Sequence, residues 1–203
     1  MDPNALYYQD SHLHQFHARV ISCQPQDGLW AIGLDQTAFY PEGGGQPWDL
    51  GTLADAQVLA VREQDGAVVH FCDRPLNPGQ AVQGQIDWPR RFDLMQQHSG
   101  EHMLSGVIHR RYGFHNVGFH MGAASVTIDF DGVIPQEDLP GLEAAVNDGI
   151  WQDLPIRTWC AGGDALADSP YRSKRPLEGL VRLVEIPGYD LCACCGTHVE
   201  ENR

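Results

Sequence analysis

Two short segments of this 203-residue chain carry side chains that suit a metal ion. In His98-Ser99-Gly100-Glu101-His102, two imidazoles stand four residues apart, and on a helix that spacing puts them on one face, within reach of a common ion. A histidine pair of this kind also arises as plain packing. The second segment tips the balance: Tyr189-Asp190-Leu191-Cys192-Ala193-Cys194-Cys195-Gly196-Thr197-His198 offers thiols and a further imidazole. Nitrogen and sulfur donors together match zinc, which is borderline-soft and content with tetrahedral coordination. Spacing leaves the sulfur ligand open. Cys194 and His198 are four residues apart, whereas Cys192 and Cys195 form a Cys-x2-Cys pair that could hold metal or take part in thiol chemistry.

The elements that must position these residues differ across the chain. Before Pro89 come short alternating apolar stretches (Phe16 to Ile21, Leu29 to Leu34, Gln57 to Val61, Ala67 to Phe71, Gln80 to Ile86), punctuated by Asp27-Gly28, Asp65-Gly66 and Asn77-Pro78-Gly79. That texture predicts a small antiparallel sheet or barrel. From Asp87-Trp88-Pro89 the pattern turns helical. Asp87 suits a cap and Pro89 a first turn, and Phe92, Met95, Ser99, Met103 and Val107 recur at helical spacing until Gly113. Gly100 and Gly106 each cost roughly 1 kcal/mol in a helix interior, which predicts a close approach there. Later segments read as strands (Ser125 to Phe130, Ile156 to Cys160, Leu180 to Ile186) with one helix after Pro140. The expected fold is α+β: a β-barrel-like domain over 1–88, then a two-layer α+β domain over 89–203.

Composition narrows the classes. Hydrophobic residues make up 42% of the chain and charged residues 20%, as in globular proteins. No apolar run reaches the roughly 18 residues of a membrane span, and Met1-Asp2-Pro3-Asn4 lacks the features of a signal peptide. A soluble, intracellular protein is expected, with its six cysteines as thiols or metal ligands rather than disulfides. The net charge of −14 disfavours a protein that coats nucleic acid through bulk charge. Yet ten of the thirteen Lys/Arg residues follow residue 88, and all but Lys174 are arginines, whose contacts are forked and directional.

A third segment completes a pattern. Thr37-Ala38-Phe39-Tyr40-Pro41-Glu42-Gly43-Gly44-Gly45-Gln46-Pro47-Trp48-Asp49-Leu50-Gly51 precedes the two metal-binding motifs, and it lacks the Gly-Lys-Ser/Thr of a phosphate-binding loop. These three motifs, in this order, resemble those of the alanyl-tRNA synthetase editing domain and of its free-standing relatives, the AlaX-type alanyl-tRNA editing proteins of the longer class. The resemblance spans residues 37 to 199. It implies zinc held by His98, His102, Cys194 and His198. It also implies hydrolysis of mischarged alanine tRNA, seryl- and glycyl-tRNA, in the cytoplasm, with neither membrane nor DNA as partner. Where the family has glycine after the ligand cysteine, this chain has Cys195, so two adjacent thiols stand at the ligand position.

On this reading Gly43, Gly44, Gly45 and Gln46 form a loop that approaches the site or the acceptor end. Thr127 is a candidate reader of the serine hydroxyl, the plainer alternative being an outward polar strand face. Arg110, Arg111, Arg172 and Arg175 are the candidate tRNA contacts. Two other readings compete. His98 to His102 also fits the His-x-x-Glu-His pattern of inverzincin peptidases with Glu101 as base, although that class takes a carboxylate as third ligand. Four protein ligands also suit a zinc-stabilised tRNA-binding module without catalysis.

Overall fold

The computed structural model describes residues 4–122, 125–167, 169–173 and 177–201. The chain divides into two compact units, Met1–Leu94 and Met95–Arg203.

The first unit is a closed six-stranded barrel. Strands β1 (Gln15–Gln26), β2 (Leu29–Leu34), β3 (Gly51–Leu53), β4 (Ala56–Gln64), β5 (Ala67–Cys72) and β6 (Ala81–Ile86) follow the order β1-β2-β5-β4-β3-β6. Antiparallel pairing of β1 with β6 closes it. Alternation drives the closure: Phe16, Ala18 and Val20 are buried while their neighbours are exposed, and Val82, Gly84 and Ile86 repeat the pattern. Asp27-Gly28 and Asp65-Gly66 join hairpins with both residues at positive φ, the two-residue turn whose twist matches the strands it links. β1 runs past Ile21 to Gln26 because it continues to pair with β2 beyond a bulge at Val20/Ser22. β3 is only three residues long, too short for alternation to reveal it.

Two of the buried polar side chains described in this unit, His70 and Arg91, each anchor a hydrogen-bonded group. His70 is completely buried, with Nδ1 3.1 Å from the Ile32 carbonyl and Nε2 2.8 Å from Thr37 Oγ1. Burial outweighs the Ile32 hydrogen bond and lowers its pKa to about 4, so the ring is neutral at neutral pH. Arg91 is fully buried against Asp49: its Nε donates to Oδ1 at 2.8 Å, and its Nη2 also binds the carboxylate. The rest of the guanidinium donates to the carbonyls of Ser11 (2.9 Å) and Ala38 (2.7 Å), while the Tyr40 N–H donates to Asp49 Oδ2 at 2.6 Å.

Arg91 lies in the first turns of α1 (Trp88–Tyr112). The Asp87 carboxylate accepts the Arg90 N–H at 3.3 Å, as a cap should. Gly113 ends the helix at φ 76°, its N–H donating to the His109 carbonyl at 2.8 Å.

The second unit is α+β. It contains the hairpin β7 (Asn116–Met121) and β8 (Val126–Phe130), α2 (Leu139–Trp151), β9 (Arg157–Ala161), the single turn α3 (Asp164–Ala167), β10 (Val181–Ile186) and β11 (Asp190–Ala193). The last three strands form an antiparallel sheet in the order β11-β10-β9, with Leu183, Val184 and Ile186 of the middle strand fully buried. Val107 and Ile108 of α1 pack with Leu142 of α2. The two helical glycines divide. A Cβ on Gly106 would lie 2.1 Å from the Tyr189 carbonyl oxygen and 3.0 Å from Asp190 Cβ, so the helix meets the turn between β10 and β11 through bare backbone. A Cβ on Gly100 would meet nothing within 4 Å, and packing does not explain that residue.

Candidate metal centre

The second unit brings four of the predicted side chains together. His98 and His102 project from one face of α1, and Cys194 and His198 come from the segment after β11. One donor atom from each lies within 4.8 Å of all the others. Cys194 Sγ stands 3.5 Å from His98 Nε2 and 3.5 Å from His198 Nε2. A tetrahedron built on ordinary zinc–sulfur and zinc–nitrogen bonds has a sulfur–nitrogen edge of about 3.6 Å. The donor set and its spacing therefore fit zinc. Cys195 is exposed and absent from the cluster, so of the two adjacent thiols it is Cys194 that stands among the histidines.

Hydrogen bonding fixes how these ligands present themselves. Ser99, between the two helical histidines, donates its hydroxyl proton to the Met95 carbonyl at 2.8 Å. Its oxygen, 3.1 Å from His198 Nδ1, can then only accept, so His198 carries its proton on Nδ1 and turns the Nε2 lone pair toward Cys194. His102 Nδ1 is 3.1 Å from Asp190 Oδ2, an ion-pair distance with an approach too bent for a straight hydrogen bond. Asp190 is in turn gripped by Arg172, with Nε to Oδ1 at 2.6 Å and Nη2 to Oδ2 at 2.8 Å. Arg182 of β10 clamps the ligand loop, donating to the carbonyls of Cys194 and Gly196 at 2.9 Å each, and the Gly196 N–H reaches Cys194 Sγ at 3.2 Å.

The electrostatics prepare the same ligands. Burial and the neighbouring His98 push the His198 imidazole down to about 3, leaving it neutral with a free lone pair. Burial opposes ionisation of Cys194, but His98 and His102 beside it hold the thiol well below its usual range, which favours the thiolate that binds metal. Burial also opposes a charged His102, yet Cys194 and Asp190 together carry it well above its ordinary value. Metal uptake on such a set displaces a proton. Cys192 is different: burial pushes its thiol up to about 11, so it remains protonated.

The other candidates fall elsewhere. Gly43 and Gln46 exchange backbone hydrogen bonds at 3.1 and 3.0 Å around Gly44 and Gly45, both at positive φ, so the glycine run is a tight hairpin turn of the first unit. Gln46 is fully buried, whereas Gly44 and Gly45 are exposed. Thr127 pairs with His120, and the next pair is Phe119 with Ile128. Since paired residues share a face and neighbours alternate, Thr127 points away from Phe119, whose ring lies tilted 5.2 Å from that of His98. Arg110 is exposed, donating to the Gly188 carbonyl at 2.5 Å with its guanidinium over Tyr189. Arg111 pairs with Asp138 at 2.5 Å. Arg172 is mostly buried, its fork spent on Asp190. Arg175 lies outside the described residues. Sequence reasoning missed the contacts of Ser99, Asp190 and Arg182: the first two sit inside motifs singled out for other residues, and Arg182 lies in the predicted strand Leu180 to Ile186.

Residues 8–90 match the profile of the class II (A) tRNA synthetases. The alanyl-tRNA editing protein Aarsd1 of Mus musculus is 34% identical across 96% of this chain, and that of Danio rerio 33% identical across 94%. Over nearly its whole length the chain is thus similar to alanyl-tRNA editing proteins. The alanine–tRNA ligase of Natronomonas pharaonis is 35% identical across 96% of the chain. The chain spans about half the length of the Aarsd1 relatives (51% and 50%) and 22% of the ligase. No helix among the described residues is long and apolar enough to cross a membrane.

Proposed function

We propose that this protein hydrolyses the aminoacyl ester of alanine tRNA mischarged with serine, and with glycine, releasing the amino acid and the free tRNA. The observation that carries the reading is the His98–His102–Cys194–His198 cluster, a three-nitrogen, one-sulfur set within 4.8 Å in a chain related to editing proteins. Zinc bound there would supply positive charge beside the ester, polarising a carbonyl or lowering the pKa of water toward about 7. The chain does the rest. Ser99 and Asp190 aim two of the ligands, Arg182 holds the loop that carries the thiolate, and the buried setting keeps the local dielectric low.

Alanine is smaller than serine and enters any pocket that accepts serine, so sparing alanyl-tRNA requires a polar contact to the extra hydroxyl. Thr127 faces away from Phe119 and His98, and the cluster itself is the candidate we favour for that contact. For the nucleic acid we propose Arg110 and Arg111, which flank a cavity of about 380 Å³ with Leu142 and Tyr189. The peptidase reading loses its footing. The ligand beside the histidines is Cys194 rather than a carboxylate, and Glu101 Oε1 is occupied by Ser105 and by Asn116 Nδ2 at 2.6 Å. A closed set of four protein ligands favours a second reading, a zinc-stabilised tRNA-binding module.

One assay separates the two. Seryl-, glycyl- and alanyl-tRNA charged on alanine tRNA are incubated with the protein, with and without a zinc chelator. Rapid ester loss from the seryl and glycyl species, abolished by chelation, supports editing. Binding without hydrolysis supports the module.

A further inference from the structure

We propose that Asp190, held by Arg172, is a positioning residue for His102: it keeps the ring proton on Nδ1 and aims Nε2 into the ligand cluster. The inference rests on reading that cluster as a metal site.

Three separate pieces of chain converge to make the contact. His102 comes from α1, Asp190 opens β11, and Arg172 sits on a short stretch that runs beside β11, its N–H donating to the Leu191 carbonyl at 2.7 Å and its carbonyl accepting the Ala193 N–H at 2.9 Å. The side chains are 3%, 1% and 13% exposed. Asp190 Oδ2 is shared, 3.1 Å from His102 Nδ1 and 2.8 Å from Arg172 Nη2. The approach is bent, so the pull is chiefly electrostatic: an ionised carboxylate 3.1 Å from Nδ1 attracts a proton there and repels a lone pair, which leaves the Nε2 lone pair for a metal. Gly106, one turn beyond His102, lets the Tyr189-Asp190 backbone come close enough for this.

A buried ion pair is a poor source of stability, since desolvation consumes much of its Coulombic attraction. Orientation is what this pair does provide. Arginine's planar fork grips both carboxylate oxygens and leaves the carboxylate one direction to face. Carboxylates that orient a ligating histidine typically change metal affinity by 10- to 100-fold when removed. Cys192 shares a second tight group with His102 and Asp190, and Cys192→Ser provides a control for ligand exchange.

The test is zinc affinity, measured by competition with a chromophoric chelator. Wild type is compared with Asp190→Ala, Asp190→Asn, Arg172→Ala, Arg172→Lys and the double alanine variant. Asp190→Ala is expected to weaken zinc binding 10- to 100-fold, and Arg172→Ala by less. Arg172→Ala should add little once Asp190 is gone, because it acts through that carboxylate. Asp190→Asn should recover part of the affinity, since an amide oxygen can still accept the Nδ1 proton. Arg172→Lys should not recover what Arg172→Ala loses, because lysine lacks the fork. Side-chain nitrogen NMR of the zinc-loaded protein reports the His102 tautomer directly, a signature that a merely structural pair would not move.

Zinc affinity of Asp190→Ala and Asp190→Asn within twofold of wild type would overturn the inference, as would equal losses from Arg172→Ala with and without Asp190. If Asp190→Ala fails to fold, Asp190→Asn and Arg172→Lys decide by the same readouts. If wild type itself binds no zinc, the metal reading fails and takes this inference with it. Zinc bound equally well by wild type and the Asp190 variants sinks this inference alone.

Discussion

In the barrel unit, Arg91 closes on Asp49, and its remaining N–H groups end on the main-chain carbonyls of Ser11 and Ala38. In the second unit, Arg172 closes on Asp190, and the shared carboxylate oxygen ends on the imidazole of His102. The charges are the same, and both pairs are largely withdrawn from solvent. The difference lies in the third partner. Main-chain partners make the first pair a fastener for loops around the barrel, including the Tyr40 end of the glycine-bearing segment. An imidazole partner makes the second a director of chemistry. What a buried pair is for can be read from where its spare hydrogen bonds terminate, and residue type alone does not say.

The sharpest break in this comparison comes from the ligands themselves. A structural zinc site can be worth on the order of 10 kcal/mol of binding, so His102→Ala and Cys194→Ala should each lose zinc on elemental analysis. Each should also lower seryl-tRNA deacylation by about two orders of magnitude or more. Cys195→Ala should stay near wild type on both. A larger zinc loss from Cys195→Ala than from Cys194→Ala would move the ligand by one residue.

Next in size is the barrel pair. Arg91→Ala leaves Asp49 buried without its partner and should cost about 3–5 kcal/mol in denaturant unfolding, with the zinc content of the folded fraction unchanged. If that variant kept its stability and lost its zinc, the distinction between the two pairs would collapse.

A pH effect of somewhat smaller size separates the units by another route. His70 is held near about 4 in the folded barrel against an ordinary 6.5, so the unfolded chain takes up the proton first. Its contribution is fully present above pH 6.5 and is lost as pH falls toward about 4, a loss on the order of 3 kcal/mol. Denaturant midpoints recorded across that window should fall more steeply in wild type than in His70→Gln.

The smallest effect concerns the proposed tRNA face. Reversing the charge of Arg110 and Arg111 together should weaken tRNA binding and lower the slope of log affinity against log salt by about 2. Reversing Arg62 and Arg74 on the barrel should change neither, and equal effects would remove any assignment of tRNA to the second unit.

Much of this architecture is legible in local pattern. Asp-Gly pairs mark two hairpins, alternation marks the long barrel strands, and Asp87 with Gly113 brackets α1. His98 and His102 could be paired because a helix turns every 3.6 residues, so four-residue spacing survives folding there, whereas Cys194 and His198 lie in irregular chain after β11, where that spacing carries no such meaning. Contacts made across distance leave no such trace. Ser99 meets His198, and Arg172 meets Asp190, through no spacing rule, and Arg172 read as a nucleic-acid cation because its charge was visible and its partner was not. Thr127 shows the same gap on a smaller scale. Alternation divides a strand into two faces without saying which of them meets the helix.

Gly106 brings a practical warning for protein engineering. It lies inside a long helix, where replacing glycine by alanine ordinarily gains roughly 1 kcal/mol, so a stabilisation campaign guided by helix preference would choose it early. Here the added methyl group would collide with the Tyr189 carbonyl and drive the neighbouring aspartate away from its histidine. A screen for inactive variants would recover Gly106→Ala beside the ligand losses, although the position carries no functional group.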